Sequence, residues 1–200
     1  MQEIEAKFYV KELKQIEARI RDLNARLIQP RTYEMNVRFD TPNHDLRREG
    51  RVLRLRQDDK VRMTYKSASE NEEGVLSRTE IEFMVEDFEK AKSLLEALGY
   101  EKLLFYEKYR TTYEIDGAHI MLDELPIGDF IEIEGKSVDS IRGIAAKLGI
   151  NWDATIAASY SALFERVRMA LGTKITDLSF EEFREIQVTG KELDAKPADE

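Results

Sequence analysis

The sequence has no cysteine, which excludes disulfides, thiolate metal ligands and a thiol nucleophile. It has two histidines, His44 and His119, far apart along the chain. A zinc site or a Ser-His-Asp arrangement is therefore poorly supported. No run of about 18 apolar residues occurs, so no helix is expected to span a membrane. Positive charge is not in excess: the formal net charge is −9, which argues against a general affinity for nucleic-acid backbones. The first strand pattern begins at residue 3 and leaves no room for a signal peptide; the expectation is a cytoplasmic protein. The length of 200 residues suits one domain, or one with a tail, and allows a substantial core.

What the chain has in abundance is charge, at 36% of its residues, and that charge is patterned. In Glu3-Ile4-Glu5-Ala6-Lys7-Phe8 the ionic residues alternate with apolar ones, so an extended strand puts them on opposite faces. Two carboxylates at i and i+2 lie about 6–7 Å apart on such a strand. They repel unless something positive stands near them, and a divalent cation is one such partner. A solvated edge-strand face is the plain alternative.

The pattern recurs along the chain. Leu13, Ile16, Ile20, Leu23 and Leu27 predict an amphipathic helix over about 11–28, closed by Pro30. Strands follow over Met35 to Phe39, Arg51 to Arg56 and Val61 to Lys66, the last two as a hairpin through an Asp58-Asp59 turn. Residues 67–75 read as a mobile loop. Strands over 78–85, 103–115, 119–123 and 130–136 come next. The first two enclose a helix capped by Asp87 and stopped by Gly99, and Asp116-Gly117 gives a hairpin turn. Helices are expected over about 138–148 and 153–171. Ser179 with Glu182 suggests the cap of a short helix, and the polar stretch from Gly190 reads as a disordered tail.

Six strands carry ionic sets on one face: Glu3/Glu5/Lys7, Arg54/Arg56, Arg62/Lys66, Glu80/Glu82, Lys108/Arg110 and Glu132/Glu134. Either these faces look to bulk water, with Glu–Arg pairs across strands, or the sheet closes and they line its inside. An ionic interior has to be wet, because unpaired buried charge is very costly. Clustered Arg and Lys match phosphate oxygens. Pairs of Glu match divalent cations. Together they describe a metal–polyphosphate site.

The ordered series resembles the CYTH family, also called triphosphate tunnel metalloenzymes, over about residues 1–170. The resemblance rests on Glu3-Ile4-Glu5-Ala6-Lys7-Phe8, Phe39-Asp40-Thr41-Pro42, Leu53-Arg54-Leu55-Arg56, Thr64-Tyr65-Lys66, Arg78-Thr79-Glu80-Ile81-Glu82, Glu107-Lys108-Tyr109-Arg110, Leu122-Asp123, Gly128 to Gly135 and Ser159-Tyr160. It implies an α+β fold: an eight-stranded antiparallel β tunnel with helices packed outside. It also implies Mg²⁺- or Mn²⁺-dependent work on a triphosphate. The residue roles it carries are Glu3, Glu5, Glu132 and Glu134 as metal ligands, and Lys7, Arg54, Arg56, Lys66, Lys108 and Arg110 as phosphate contacts. Lys7, Arg56 and Lys66 form the catalytic set. Glu80, Glu82 and Asp123 are metal ligands or groups behind them. Arg38 stands where many members have an aromatic residue, and is taken as a further phosphate contact. His44 and His119 are expected to be structural or exposed, and Tyr160 to be packing.

Three functions follow from this pattern. One is a class IV adenylate cyclase-like enzyme, suggested by the Ser159-Tyr160 region. Another is a triphosphatase acting on tripolyphosphate or thiamine triphosphate. The third is a non-catalytic polyphosphate binder. The expected partner is a triphosphate small molecule such as ATP, with neither nucleic acid nor membrane involved and a homodimer possible. Residues 173–200 fall outside the resemblance and suggest at most a protein contact.

Overall fold

The computed structural model describes residues 2–72 and 74–200. Among these residues, nine strands form one antiparallel sheet in the order β1-β9-β8-β7-β2-β3-β4-β6-β5, with a further β1–β6 pairing. The strands are β1 (Gln2–Val10), β2 (Arg26–Asp40), β3 (Val52–Gln57), β4 (Val61–Lys66), β5 (Glu70–Glu72), β6 (Val75–Val85), β7 (Glu101–Ile115), β8 (Ala118–Leu125) and β9 (Gly128–Glu134). The β1–β6 pairing closes eight of them into a ring. The expected tunnel is present, and β5 is an addition laid on the start of β6. That short strand occupies part of the segment expected to be a loop, where Glu73 lies outside the described residues.

Alternation explains the closure. On β1 and β9 the cross-strand pairs Ala6↔Ile133 and Phe8↔Ile131 point outward. They are buried under α1 (Leu13–Asp22) and α4 (Val138–Lys147) with Ile16, Ile20, Ile141 and Ile144. α3 (Phe88–Ala97) covers Val37, Phe39 and Leu55 of β2 and β3 through Phe88, Ala91 and Leu95. Asp87 caps it, accepting from the Lys90 amide at 2.9 Å, a bond that satisfies one of the free amides of a first turn. These three helices lie outside the ring, as expected.

α5 (Tyr160–Leu171) behaves differently. Along the inner face of β1, Glu3, Glu5 and Lys7 are followed by Tyr9; along that of β9, Glu134 and Glu132 give way to Phe130. At that end of the tunnel Tyr9, Leu104, Tyr106 and Phe130 join one apolar cluster with Leu163, Phe164 and Val167 of α5. The Phe130 and Tyr160 rings meet edge to face at 5.3 Å between centroids. The helix therefore plugs one mouth of the tunnel.

Several boundaries differ from expectation. The first helix stops at Leu23, Asn24 takes φ 57°, and the chain re-enters the sheet at Arg26. Leu27 continues the helical period only by coincidence: it is 50% exposed and sits in β2, as does Pro30. β2 absorbs that proline at an irregular register between Leu27 and Thr32. A single helical turn, α2 (Asp45–Arg48), follows the Asp40 to Asn43 turn. Asp40 holds it, accepting from the amides of Leu46 and Arg47 at 2.9 Å each. α5 begins at Tyr160 rather than near 153, because Ser159 caps it and Ile156 instead donates its amide to the Lys7 carbonyl.

The C-terminal residues correct the expected tail. Ser179 caps a set of turns, not a helix. Leu178, Phe183, Leu193 and Ala198 are all buried. α6 (Gly190–Leu193) carries a capping box between Thr189 and Glu192. The Asp199 carboxylate accepts from the amides of Lys11 and Glu12. A few apolar side chains seated beside Tyr9 order a stretch whose average composition is polar. No helix among the described residues is long and apolar enough to cross a membrane.

On the outer surface, Asp129 faces Glu124 across the β8–β9 ladder. Burial, reinforced by that like charge, pushes its carboxyl up to about 6 from 3.8. A raised pKa means that ionisation costs the folded state stability once pH exceeds the unfolded value. Asp129→Asn should therefore raise stability by about 1 kcal/mol at pH 8, after discounting for solvent screening. The gain should fade through pH 6 and be absent below about pH 4. Thermal melts of both proteins across this range check it; a gain that persists unchanged at low pH contradicts it.

Candidate active site in the tunnel

The tunnel encloses a cavity of about 710 Å³. Eight cationic side chains line it: Lys7, Arg38, Arg54, Arg56, Lys66, Arg78, Lys108 and Arg110. Six carboxylates line it too: Glu3, Glu5, Glu80, Glu82, Glu132 and Glu134. The strand period puts them there, since each alternates with an outward residue on its own strand.

The tunnel is held together by ion pairs. Lys66 and Arg78 both donate to Glu3, Arg78 at 2.9 Å. Burial would raise the Glu3 pKa, but these two cations outweigh it and hold the carboxyl at about 2, against 4.5. Glu132 pairs with Lys7 at 3.2 Å and with Arg110. It too lies well below the usual carboxylate range, because its cationic neighbours overcome burial. Lys66 also pairs with Glu80 at 2.9 Å. Glu82 accepts from Thr64 at 2.8 Å and lies 3.8 Å from both Arg54 and Arg62. Arg62 itself is drawn to Asp58 beside the hairpin turn, so that turn residue has a charge to hold.

Glu5 and Glu134 are the exceptions. Glu5 is buried, and among the described residues its ion pair within 4.0 Å is with Arg78, at 3.5 Å. Burial and the neighbouring Glu132 and Glu3 push its carboxyl up. Glu134 is raised by burial and then by Glu3. Unrelieved negative charge on oxygen donors is what a hard divalent cation satisfies, so Glu3, Glu5, Glu132 and Glu134 fit such an ion. Among the described residues, no three acidic or histidine side chains already converge in ligating geometry. Glu3 and Glu132 would have to leave their cations first.

Asp123 plays a different part. It is fully buried and accepts from Lys108 at 2.9 Å, from Arg110 Nε at 2.6 Å and from the Tyr160 hydroxyl at 2.7 Å. It fixes two cavity cations and ties them to the plug helix. Tyr160, expected to be mere packing, also presents its ring to Lys7 Nζ at 3.9 Å.

Three lining or supporting residues escaped the sequence reading. Arg78 shares a face with Glu80 and Glu82, and that alternation was the signal available. Glu34 is 1% exposed and stands 3.5 Å from Lys108 and 3.7 Å from Arg56. It lies one residue outside the strand expected at 35–39. Tyr106 meets Arg54 at 3.4 Å. Burial would raise its phenol, yet Arg54, Lys108 and Arg56 pull it below its ordinary value. His119 is exposed and lines the cavity opposite Glu134. His44 takes φ 56° ahead of α2, away from the site.

The CYTH domain family profile matches residues 1–147. Adenylate cyclase CyaB of Aeromonas hydrophila is 27% identical over 176 residues, spanning 82% of this chain and 89% of that protein. The solved structure of protein PH1819 from Pyrococcus horikoshii OT3 superposes with a TM-score of 0.69 at 28% identity, covering 82% of this chain and 98% of that one. HpAC1 from Hippeastrum superposes with a TM-score of 0.62, covering 82% and 95%. That adenylyl cyclase-named protein is described as having a dominant triphosphatase activity; at 21% identity its likeness to this chain is one of fold.

Proposed function

The chain belongs to the CYTH domain family, and from that premise we propose that it converts ATP to cyclic AMP and pyrophosphate within the tunnel. The family implies a divalent metal; Mg²⁺ or Mn²⁺ is the proposed ion. The observation that carries the reading is the gathering of eight cations against six carboxylates around one cavity with a single plugged mouth. The likeness to an adenylate cyclase over 82% of the chain supports the choice of reaction.

In this reading Lys7, Arg54, Arg56, Lys66, Lys108 and Arg110 hold the phosphate oxygens, Arg in bidentate fashion where geometry allows. Lys7, Arg56 and Lys66 form the catalytic set. Glu3, Glu5, Glu132 and Glu134 hold the metal. A bound divalent cation supplies charge that stabilises a phosphoryl oxygen in the transition state. The ribose 3′-oxygen gives up its proton to solvent and bonds to the α-phosphorus as the bond from that phosphorus to the α–β bridging oxygen breaks, and pyrophosphate leaves. Glu80 and Glu82 serve as counter-charges for Lys66, Arg54 and Arg62. Asp123 positions Lys108 and Arg110 without touching the substrate.

A triphosphatase is the second reading, because the same tunnel can direct water onto a terminal phosphate of tripolyphosphate or thiamine triphosphate. ATP, tripolyphosphate and thiamine triphosphate, each supplied with Mg²⁺ or Mn²⁺, separate the two readings. Cyclic AMP with pyrophosphate supports the cyclase; orthophosphate supports the hydrolase. If no product forms but tripolyphosphate raises the melting temperature, the tunnel is a binding module.

A further inference from the structure

Every cation lining the tunnel has a carboxylate within 4.0 Å among the described residues, except Arg38. Arg38 pairs across the β2–β3 ladder with Arg54, a like charge. Among the described residues its one side-chain hydrogen bond goes to the Ser161 hydroxyl, and its Nε is buried without an acceptor. The Nε of Arg54, a side chain 8% exposed, is buried without an acceptor as well. Burial, and then the fields of Arg54 and Arg78, make the charged form of Arg38 costly despite nearby Tyr106 and Asp40.

Beside this pair stands the first turn of α5, a helix of 12 residues. The Ser159 and Ser161 hydroxyls lie 2.9 Å apart, and both residues line the cavity with Arg38. A first turn adds amides that the helix itself does not use, of which Ala162 already donates to the Ser159 hydroxyl at 3.3 Å, and the positive end of its dipole. Two guanidiniums, each with a buried Nε lacking an acceptor, two hydroxyls and a helix start thus meet where no carboxylate comes within 4.0 Å of Arg38 among the described residues.

We propose that Arg38, Ser159 and Ser161 form an anion subsite at the plugged end of the tunnel, which receives the terminal phosphate of the substrate. This rests on the reading of the tunnel as a triphosphate site and fixes the direction of entry. The plug of Tyr9, Phe130, Tyr160 and Phe164 leaves no passage for a base or a thiamine ring. The phosphate chain therefore goes in first, and the bulky group stays near the mouth where His119 and Glu134 stand.

The test is calorimetric titration of the full chain with tripolyphosphate in the absence of added metal, alongside ³¹P spectra of the bound ligand. Wild type should bind, and the two end phosphates, equivalent in free solution, should give separate signals. Arg38→Met should weaken binding about ten- to a hundredfold, as expected for a lost charge-assisted contact. It should shift one end signal more than the other two. Ser161→Ala should move the same signal with a smaller loss, and Arg38→Lys should recover part of the affinity. If Arg38→Met does not fold, the Lys and Ala variants decide the matter in the same way. Affinity within threefold of wild type, or equal shifts of all three signals, overturns the subsite alone. A wild type that binds no tripolyphosphate, with or without Mg²⁺, overturns both the subsite and the function it rests on.

Discussion

Glu5→Gln should lose nearly all metal-dependent turnover, about a thousandfold or more, and yet melt at a higher temperature than the wild type. The loss follows from removing a proposed metal ligand, since such an ion contributes several kcal/mol of transition-state stabilisation. The gain follows from the charges around Glu5. Burial and the charges of Glu132 and Glu3 raise the Glu5 carboxyl above its ordinary 4.5, so its ionised form costs the folded state stability at neutral pH. Glutamine keeps the shape and removes the charge. The stabilisation should be present at pH 8 and disappear as pH falls below about 4.5.

Glu3→Gln should lose activity too, but with the opposite effect on stability. Glu3 is held at about 2 by Lys66 and Arg78 against the pull of burial. Its pairing stabilises the fold above pH 4.5 and is lost as pH falls toward 2. Its removal should cost about 2–3 kcal/mol at pH 7. Turnover with magnesium and thermal melts of both variants check the pair. Retained activity in Glu5→Gln, or melting shifts of the same sign in both, contradicts this division of roles.

Asp123→Asn should be the most destabilising single change at the site. The carboxylate is fully buried and holds Lys108, Arg110 and the Tyr160 hydroxyl. Asparagine can still accept from Tyr160, but it leaves two buried cations without their shared counter-charge. Breaking such a pair costs about 3–5 kcal/mol, or roughly 10 °C in melting temperature for a chain of this size. Activity measured well below the new midpoint should fall as well, since Lys108 and Arg110 lose their anchor. A melting temperature within 2 °C of wild type, on the order of 1 kcal/mol or less, would show that Glu34 and Glu132 suffice to hold those cations.

The tunnel was legible in the sequence because its wall obeys a period of two. Glu3, Glu5 and Lys7, or Arg54 and Arg56, have no reason to alternate so strictly with Ile4, Ala6, Phe8 and Leu55 unless each strand has one dry and one ionic face. The same rule reaches Arg78, two residues before Glu80 on the strand expected over 78–85, and it reaches Glu34 once β2 is extended by one residue ahead of Met35. Periodicity was blind elsewhere. Leu27 stands in helical phase with Leu23, yet Asn24 turns the chain between them. The apolar face of α5 was plain, but a stripe does not say what it packs against; that it closes the tunnel depends on Tyr9 and Phe130 taking over the inner face. Leu193 and Ala198 occupy gaps made by distant strands, which no local composition reveals.

The distribution of charge also shapes how ligands enter. Lys7, Lys66, Arg78 and Arg110 are clamped by the carboxylates proposed to hold the metal. A phosphate chain arriving alone must pull the cations away, and a metal arriving alone must pull the carboxylates away. Arriving together, each frees the partners of the other. The most direct measurement is the melting temperature with Mg²⁺ alone, with tripolyphosphate alone and with both. The account predicts a shift with both that exceeds the sum of the separate shifts, through linkage to the folded state. Additive shifts, or none with both present, would contradict a tunnel whose two sets of charges form one site.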